Sequence, residues 1–159
     1  MSERELLISR IQNGTVLDHL KAGSSLRVLS ALDISGEDGN QVSVAMNVPS
    51  RRIVKKDIIK VENRFLRAQE TNRLALMAPN ASVNIVRDYK VVEKRKVEVP
   101  SSFVNIFNCT NPTCITNSDE PIVPELKVIR SNPPVLQCKY CSRILQVEEV
   151  VGTKRRIYG

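Results

Sequence analysis

The segment QVSVAMNVPSRRIVKKDIIKVENRF, residues 41–65, contains two runs in which apolar and polar side chains alternate. This alternation is typical of β-strands with one apolar face. The apolar faces consist of Val42, Val44, Met46 and Val48 in the first run and of Ile59, Val61 and Phe65 in the second. Pro49 ends the first strand because proline lacks a backbone N–H. In the second strand, Lys56 and Lys60 share the opposite, more polar face.

Helical patterns flank this pair of strands on both sides. Residues 23–34, GSSLRVLSALDI, place leucines three positions apart behind Ser24 and Ser25, which can cap a helix N-terminus. Residues 68–79, AQETNRLALMAP, are also helical in pattern up to the proline. Strand patterns occupy residues 5–11 and 82–94. The resulting βαββαβ order predicts an α+β fold, a ferredoxin-like α/β sandwich with both helices on one face of a four-stranded sheet.

The helical patterns stop near Pro100, and the residues that follow have the short-strand character of a small all-β domain. We therefore expect two domains, residues 1–100 and residues 101–159. A chain of 159 residues, 42% of them hydrophobic, is long enough for one full domain and a small second one. No apolar run approaches the roughly 20 residues that cross a bilayer, and the first residues, MSERELLISR, lack a signal-peptide pattern. A cytoplasmic protein that does not bind membranes is the expectation.

All four cysteines lie in the second domain, in CTNPTC (Cys109 to Cys114) and CKYC (Cys138 to Cys141). Two close pairs on two loops suit a tetrahedral zinc ion, because each loop can present two thiolates about 2.3 Å from the metal. Four sulfur ligands leave no open coordination position, so we expect one structural Zn²⁺ ion per chain that does not activate water. Free thiols, disulfides and an iron–sulfur cluster are the alternatives, of which a reducing cytosol disfavours the disulfides.

The net charge of the chain is +7, and most of the basic excess precedes the cysteines. Between Met1 and Val97 there are 17 Lys and Arg against 11 Asp and Glu, whereas the remainder is close to balanced. The first domain is therefore expected to bind an anion: nucleic acid, a phosphorylated small molecule or an acidic protein surface. For the nearly neutral second domain, protein docking is favoured over nucleic-acid binding, because its few aromatic residues are not interleaved with basic ones.

Several side chains of the first domain could form a phosphate site. They are Lys56 and Lys60 on one predicted strand face, Lys94 with Asn84 and Lys90 on another, and the neighbours Asp18 and His19. The lysines and the histidine suit a polyphosphate, and the carboxylate of Asp18 could accept hydrogen bonds from ribose hydroxyls. The chain has no G-x-G-x-x-G motif and no P-loop, and a single histidine leaves little for acid–base catalysis. A binding role is favoured over an enzymatic one.

Over nearly its whole length, the sequence resembles the regulatory chain of aspartate carbamoyltransferase. The matching stretches are GTVLDHL, MNVPS, KKDIIKVENRF, LALMAPNASVN with YKVVEK after it, and the two cysteine pairs with their spacing. The resemblance implies a non-catalytic subunit of pyrimidine biosynthesis, whose N-terminal allosteric domain binds CTP and ATP, with UTP as a further candidate. It also implies a C-terminal zinc domain that contacts the catalytic chain, and a homodimer of regulatory chains formed through their N-terminal domains.

Carried over by position, the resemblance implies a nucleotide site and a metal site. The nucleotide-site residues are Ile11, Asp18, His19, Lys56, Lys60, Asn84, Tyr89 and Lys94, of which Ile11 and Tyr89 would present backbone groups to the base. The implied zinc ligands are Cys109, Cys114, Cys138 and Cys141. Arg10 adds a cation near the expected nucleotide. The competing hypotheses are a zinc-ribbon protein that binds nucleic acid and a stand-alone nucleotide-processing enzyme.

Overall fold

The computed structural model describes residues 10–51, 54–131 and 133–151. The chain divides into two compact units, Met1–Glu98 (unit 1) and Val99–Gly159 (unit 2). Each unit has its own β-sheet and its own buried apolar residues. Each therefore has a separate hydrophobic core, which is the physical definition of a domain.

Unit 1 is built on a five-stranded antiparallel sheet with the strand order β2-β3-β1-β4-β5. Its strands are β1 (Gly14–Lys21), β2 (Val42–Pro49), β3 (Lys55–Glu62), β4 (Ser82–Arg87) and β5 (Lys90–Lys96). Its helices are α1 (Ser25–Ala31) and α2 (Ala68–Thr71), the latter continuing as a 3-10 helix (Asn72–Leu76). The βαββαβ order and the strand order β2-β3-β1-β4 confirm the predicted ferredoxin-like sandwich. The strand β5 is an addition to it.

The apolar core of unit 1 lies between one face of the sheet and the helices. Alternate strand residues supply it, and Leu17, Leu20, Ile59, Val61 and Val83 are almost wholly buried. The helix α1 packs on β3 and on the 3-10 helix, and both helical segments add buried side chains. On the other sheet face, the intervening residues of β3 are half-buried. This face is the polar one that the sequence predicts for Lys56 and Lys60.

Within the described residues, the first strand begins later than the sequence pattern predicts. Of the expected strand at 5–11, residues 5–9 lie outside the described residues, and residues 10 and 11 are not strand. β1 begins instead at Gly14, where the backbone φ is +148° and a Cβ atom would collide with the carbonyl oxygen of Val61 in β3. Glycine permits this close approach of two backbones. At residues 10 and 11 the prediction was wrong, because pairing of this segment with β3 begins only at Gly14.

The last predicted strand of unit 1, residues 82–94, is a hairpin of two strands. Asp88 and Tyr89 join β4 to β5, and their φ angles are +51° and +65°. Two central residues with positive φ form the tight turn that matches the twist of a β-hairpin. This turn contains no glycine, and apolar residues recur on both sides of it, so the sequence pattern alone predicts one continuous strand.

A fully buried carboxylate, that of Asp57 in β3, accepts four hydrogen bonds. Its Oδ1 accepts from the N–H groups of Gly23 at 3.0 Å and Asn47 at 2.8 Å, and its Oδ2 accepts from the N–H of Ser25 at 3.0 Å and from the Ser25 hydroxyl at 2.6 Å. Asp57 thus caps α1 from a neighbouring strand, whereas the sequence predicts a cap from Ser24 or Ser25. Burial opposes ionisation of Asp57, but the Ser25 hydroxyl and the backbone amides outweigh it and lower the pKa of the carboxyl.

Unit 2 contains a four-stranded antiparallel sheet with the strand order β6-β7-β8-β9. Its elements are β6 (Ser102–Val104), a 3-10 turn (Ile115–Asn117), β7 (Glu125–Ser131), β8 (Pro134–Cys138), β9 (Ile144–Gln146) and a short helix α3 (Val147–Val151). Strands dominate, as the sequence predicts, and α3 is an unpredicted addition. The rings of Phe103 and Phe107 pack edge to face with centroids 5.4 Å apart, and Leu126, Leu136 and Leu145 are buried in the same unit. So small a core usually needs a further constraint such as a metal.

Replacing Asp57 by asparagine is expected to lower the free energy of unfolding by about 2–4 kcal/mol, because a neutral amide cannot accept all four hydrogen bonds. The folded state holds the pKa of Asp57 below the value of about 3.9 in an unfolded chain. Its stabilisation is therefore complete above about pH 4 and is lost as the pH falls through the folded-state pKa. Urea denaturation followed by circular dichroism at several pH values measures both effects.

The matched control is Asp38→Asn, since Asp38 is exposed and, among the described residues, its carboxylate bonds to Asn40 of its own loop. This control should change the urea midpoint little. An unchanged urea midpoint in Asp57→Asn would contradict the structural role assigned to Asp57.

Candidate metal centre and phosphate-binding face

Two loops of unit 2 bring the four cysteines together. Cys109 and Cys114 lie between β6 and β7, and Cys138 and Cys141 flank the turn between β8 and β9. All four sulfur atoms lie within 4.8 Å of one another. The Sγ atoms of Cys109 and Cys141 are 3.6 Å apart, and those of Cys114 and Cys138 are 3.7 Å apart. Four ligands about 2.3 Å from a tetrahedral zinc ion would be about 3.8 Å from each other, so the spacing fits a zinc site.

The first cysteine loop is held in shape by its own hydrogen bonds. The Asn117 side chain donates to the carbonyl oxygens of Cys109 and Asn111, both at 2.8 Å. The N–H of Asn111 donates to Sγ of Cys109 at 3.4 Å, and the Thr116 hydroxyl lies 3.1 Å from Sγ of Cys114. Donors aimed at sulfur favour the thiolate, which is the form that binds a metal.

The surroundings of Cys109, Cys138 and Cys141 act on the pKa values of their thiols in different directions. Burial raises the pKa of Cys109 to about 12, and burial also raises the pKa of Cys138. At Cys141, burial disfavours the thiolate, but donors that include the N–H of Arg143 outweigh it and lower the pKa to about 6. One divalent cation would stabilise all four thiolates together. Because four sulfurs complete its coordination, that cation would join the two loops and bind no substrate.

On unit 1, three of the predicted site residues form a row across the sheet. Val16 of β1 pairs with Lys60 of β3 on one side and with Asn84 of β4 on the other, and Asn84 pairs with Lys94 of β5. Residues paired in this way point to the same face, here the face opposite the core. We call Lys60, Asn84 and Lys94 the polar row. The Asn84 Oδ1 atom is buried and has no hydrogen-bond partner in the described part of the chain. Buried acceptors are normally hydrogen-bonded, so a donor from a ligand or a water molecule would satisfy this atom.

Lys90 does not lie on the face of the polar row. The register of β4 against β5 shifts after Ile85, because β5 contains one extra residue. Lys90, which pairs with Arg87 beyond this bulge, therefore points to the opposite face from Lys94. The prediction that Lys90 shares a face with Asn84 and Lys94 is wrong, since a bulge inverts the alternation on which it rests.

Asp18 and His19 lie at a second bulge, beside the polar row. The register of β1 against β3 shifts between Leu17 and Leu20, so Asp18 and His19 together oppose Ile58. His19 has a positive φ of +55°. A bulge of this kind re-aims the side chains that it contains and is frequent next to functional sites.

Specific contacts fix the two bulge residues. The Asp18 carboxylate forms an ion pair with Lys56 at 2.9 Å and accepts a hydrogen bond from the N–H of His19 at 2.6 Å. The His19 Nδ1 atom lies 3.1 Å from the hydroxyl of the buried Ser82. The sequence-predicted Asp18, His19 and Lys56 are thus brought together, and Ser82 joins them. Its position two residues before Asn84 on the same strand was the signal that could have identified it.

The two predicted backbone contributors, Ile11 and Tyr89, are brought to one end of the sheet. The N–H of Tyr89 donates to the carbonyl oxygen of Gln12 at 2.9 Å, and the N–H of Asp88 donates to the side chain of Asn13 at 3.1 Å. These bonds join the segment that contains Ile11 to the β4–β5 turn. Because the N–H of Tyr89 is used within the protein, its carbonyl group is the candidate for contact with a base.

The charges near the polar row are mostly positive. Burial and the neighbouring Arg10 guanidinium lower the pKa of Lys60, while Asp18 acts in the opposite direction. A bound polyanion would stabilise the cationic form of Lys60. Arg10, which the sequence indicates only as a nearby cation, therefore contributes to the electrostatics of this face.

Comparison with known proteins assigns each unit separately. Residues 6–98 match the family described as "Aspartate carbamoyltransferase regulatory chain, allosteric domain", and residues 101–151 match "Aspartate carbamoyltransferase regulatory chain, metal binding domain". The chain belongs to the family of aspartate carbamoyltransferase regulatory chains. It is therefore a regulatory chain and not a catalytic one. The polar row lies in the first matched stretch and the four cysteines lie in the second.

Individual members of this family are similar over nearly their whole length. The regulatory chain of Cenarchaeum symbiosum is 57% identical over 150 residues, which cover 94% of this chain and 98% of that protein. The regulatory chains of Nitrosopumilus maritimus and Methanothrix thermoacetophila are 49% and 54% identical over 150 and 145 residues, covering 98% and 94% of those proteins. These matches cover 94% and 91% of this chain. Among the residues that the structure describes, no helix is long and apolar enough to span a bilayer.

Removing the metal should unfold unit 2 and leave unit 1 folded, because the ligands belong to unit 2 alone. Treating the full chain with a mercurial and a chelator should abolish the protection of amides in β7 and β8 from hydrogen exchange, while protection in β1 and β3 persists. Metal analysis before treatment should find one zinc ion per chain, and iron in its place would indicate an iron–sulfur cluster. Retention of protected β7 and β8 amides after complete metal removal would contradict the structural role of the metal.

Proposed function

We propose that this chain is the nucleotide-sensing subunit of a cytoplasmic aspartate carbamoyltransferase in pyrimidine biosynthesis. In this proposal, residues 1–100 bind CTP, ATP and UTP as effectors, and residues 101–159 dock the catalytic chain through a structural Zn²⁺ site. The observation that carries the proposal is the polar row beside the Asp18–Lys56 ion pair, within the stretch that matches an allosteric domain.

The chemistry of the polar face suits a nucleoside triphosphate. Lys60 and Lys94 lie in one row and Lys56 is next to it, which supplies cations for a polyphosphate. The Asp18 carboxylate can only accept hydrogen bonds, so it suits the hydroxyl groups of a ribose, which donate them. The unsatisfied Asn84 Oδ1 atom can accept a hydrogen bond from a base N–H or amino group. A nucleotide supplies all three kinds of group in one ligand.

The metal loops of unit 2 carry exposed apolar side chains. Ile115, next to Cys114, is 46% exposed, and Tyr140, between Cys138 and Cys141, is 43% exposed. Large apolar and aromatic side chains on a rigid surface are typical anchors of protein interfaces. We therefore propose that these loops contact the catalytic chain and that the metal fixes their shape for that contact.

Pairing of two regulatory chains is supported by the edge strand β2. Its residues Val44 and Met46 are 38% and 39% exposed, and β2 pairs only with β3 in the described part of the chain. An open strand edge can pair with the same edge of a second copy, which produces a two-fold symmetric dimer. Allosteric control then requires nucleotide to bind two states of the assembly unequally, typically by about 1–3 kcal/mol.

Replacing Lys60 or Lys94 by alanine should weaken binding of CTP and ATP to the full chain by about tenfold or more. Each substitution removes one charge-assisted contact, which is worth about 1.5–3 kcal/mol. Isothermal titration calorimetry measures the dissociation constants. Lys90→Ala is the matched control, because it removes the same charge from β5 on the opposite face. Zinc content should be unchanged in all three variants.

Two results would count against the nucleotide site. Lys60→Ala and Lys94→Ala could retain the affinity of the unmodified chain, or Lys90→Ala could weaken binding as much as they do. Salt-dependent binding of DNA or RNA in place of nucleotide would instead favour the zinc-ribbon hypothesis.

Replacing Tyr140 by aspartate should prevent association with the catalytic chain while leaving zinc and nucleotide binding intact, because it places a charge at the centre of the proposed interface. Analytical ultracentrifugation of mixtures with the catalytic chain measures association. Ile129→Asp introduces the same charge at another exposed position of unit 2, on β7, and should still assemble. Normal assembly of Tyr140→Asp with a nucleotide-responsive activity would contradict the docking role of the metal loops.

A further inference from the structure

Asp57 connects the chain that follows β1 with the edge strand β2. The register of β2 against β3 shifts between Ala45 and Val48, so Met46 and Asn47 together oppose Asp57. Asn47 has a φ of +59°, and its N–H donates to Asp57 Oδ1 at 2.8 Å. A bulge takes such an N–H out of the regular ladder, and the carboxylate provides the acceptor that it needs.

The same carboxylate anchors the chain that follows β1. Gly23 and Ser25, which connect β1 to α1, donate three hydrogen bonds to Asp57. At its other end, β1 is held by regular pairing with β3 from Gly14 to Leu17. With both ends held, the extra residue of β1 must be accommodated between them, and it is accommodated at Asp18 and His19.

We infer that Asp57 is a positioning residue for the nucleotide site, which holds the β1 bulge where Asp18 meets Lys56 and His19 meets Ser82. This inference rests on the proposed function and adds a residue to it. Asp57 itself points into the core, on the face opposite the polar row, so it makes no contact with a ligand there. It acts through the backbone of β1 and through its own neighbour Lys56.

A consequence is that the nucleotide site and the exposed edge strand share one anchor. A change at Asn47 in the β2 bulge and a change at Asp18 in the β1 bulge both alter the surroundings of strand β3. Such a shared element is the physical requirement for coupling between two sites.

The test compares Asp57→Asn with Leu74→Ala in the full, zinc-loaded chain, at a temperature where both are folded. Leu74 is fully buried in the 3-10 helix and belongs to neither bulge, so Leu74→Ala destabilises unit 1 through lost packing while every hydrogen bond to Asp57 is kept. We expect Asp57→Asn to weaken CTP binding about tenfold or more, because Asp18 and His19 would move from the positions in which they meet the ligand. Leu74→Ala should change CTP binding less than about twofold, because it removes none of the hydrogen bonds that hold the β1 bulge.

A second measurement separates positioning from loss of stability. His19 is the only histidine in the chain, so its imidazole gives a single set of NMR signals. These signals should shift in Asp57→Asn, because the Ser82 contact moves, and should stay in place in Leu74→Ala. Ser25→Ala, which removes only the 2.6 Å hydroxyl bond to Asp57, should produce a smaller shift and a smaller loss of affinity in the same direction.

Wild-type affinity together with unchanged His19 signals in Asp57→Asn would overturn the inference. Should Asp57→Asn fail to fold, the same criterion applies to Ser25→Ala. If the unmodified chain binds neither CTP nor ATP, the proposed function fails by itself, and the His19 signals still decide whether Asp57 positions the bulge.

Discussion

Four hydrogen bonds converge on the buried carboxylate of Asp57, and the arrangement of unit 1 depends on them. A carboxylate without partners in this position would be too costly to ionise, so the surrounding donors and the charge stabilise each other. Three of the donors come from the β1–α1 connection and α1, and the fourth comes from the β2 bulge. One side chain thus sets where α1 begins and how the two strands beside β3 are aligned.

The two units obtain their stability from different sources. Unit 1 buries a continuous layer of aliphatic side chains between its sheet and its helices, which is the ordinary hydrophobic contribution. Unit 2 has two buried phenylalanine rings and few other large side chains, and four sulfur atoms occupy its loops at the spacing of a tetrahedral metal. A metal held by these four sulfurs would stabilise the loops that a small core leaves weakly supported.

This difference also separates the two roles that we assign. The four cysteines form the candidate metal site and would be occupied by coordination, whereas the lysines of unit 1 lie on a polar sheet face next to acceptors. Ligand sensing and docking can then be altered independently by mutation, although they belong to one chain. Coupling between them is a property of the assembled states and not of either site alone.

The predictable features were those set by local periodicity and spacing. The strands β2 and β3, the two helical segments, the cysteine cluster and the faces of Lys56 and Lys60 follow from side-chain alternation and loop spacing, which short stretches of chain express directly. The missed features were those in which alternation is interrupted. The β5 bulge moved Lys90 to the other face, and the turn at Asp88 and Tyr89 divided one expected strand into two.

The sequence by itself determined the order of the elements, the four-cysteine cluster and the types of residue on the polar face, because composition and period are local properties. Only the tertiary structure decided which of those residues meet. It aligned Lys60, Asn84 and Lys94 through strand register, placed Asp18 against Lys56, and capped α1 with Asp57. The physical reason is that register and bulges arise from pairing between strands distant in sequence, which no single segment encodes.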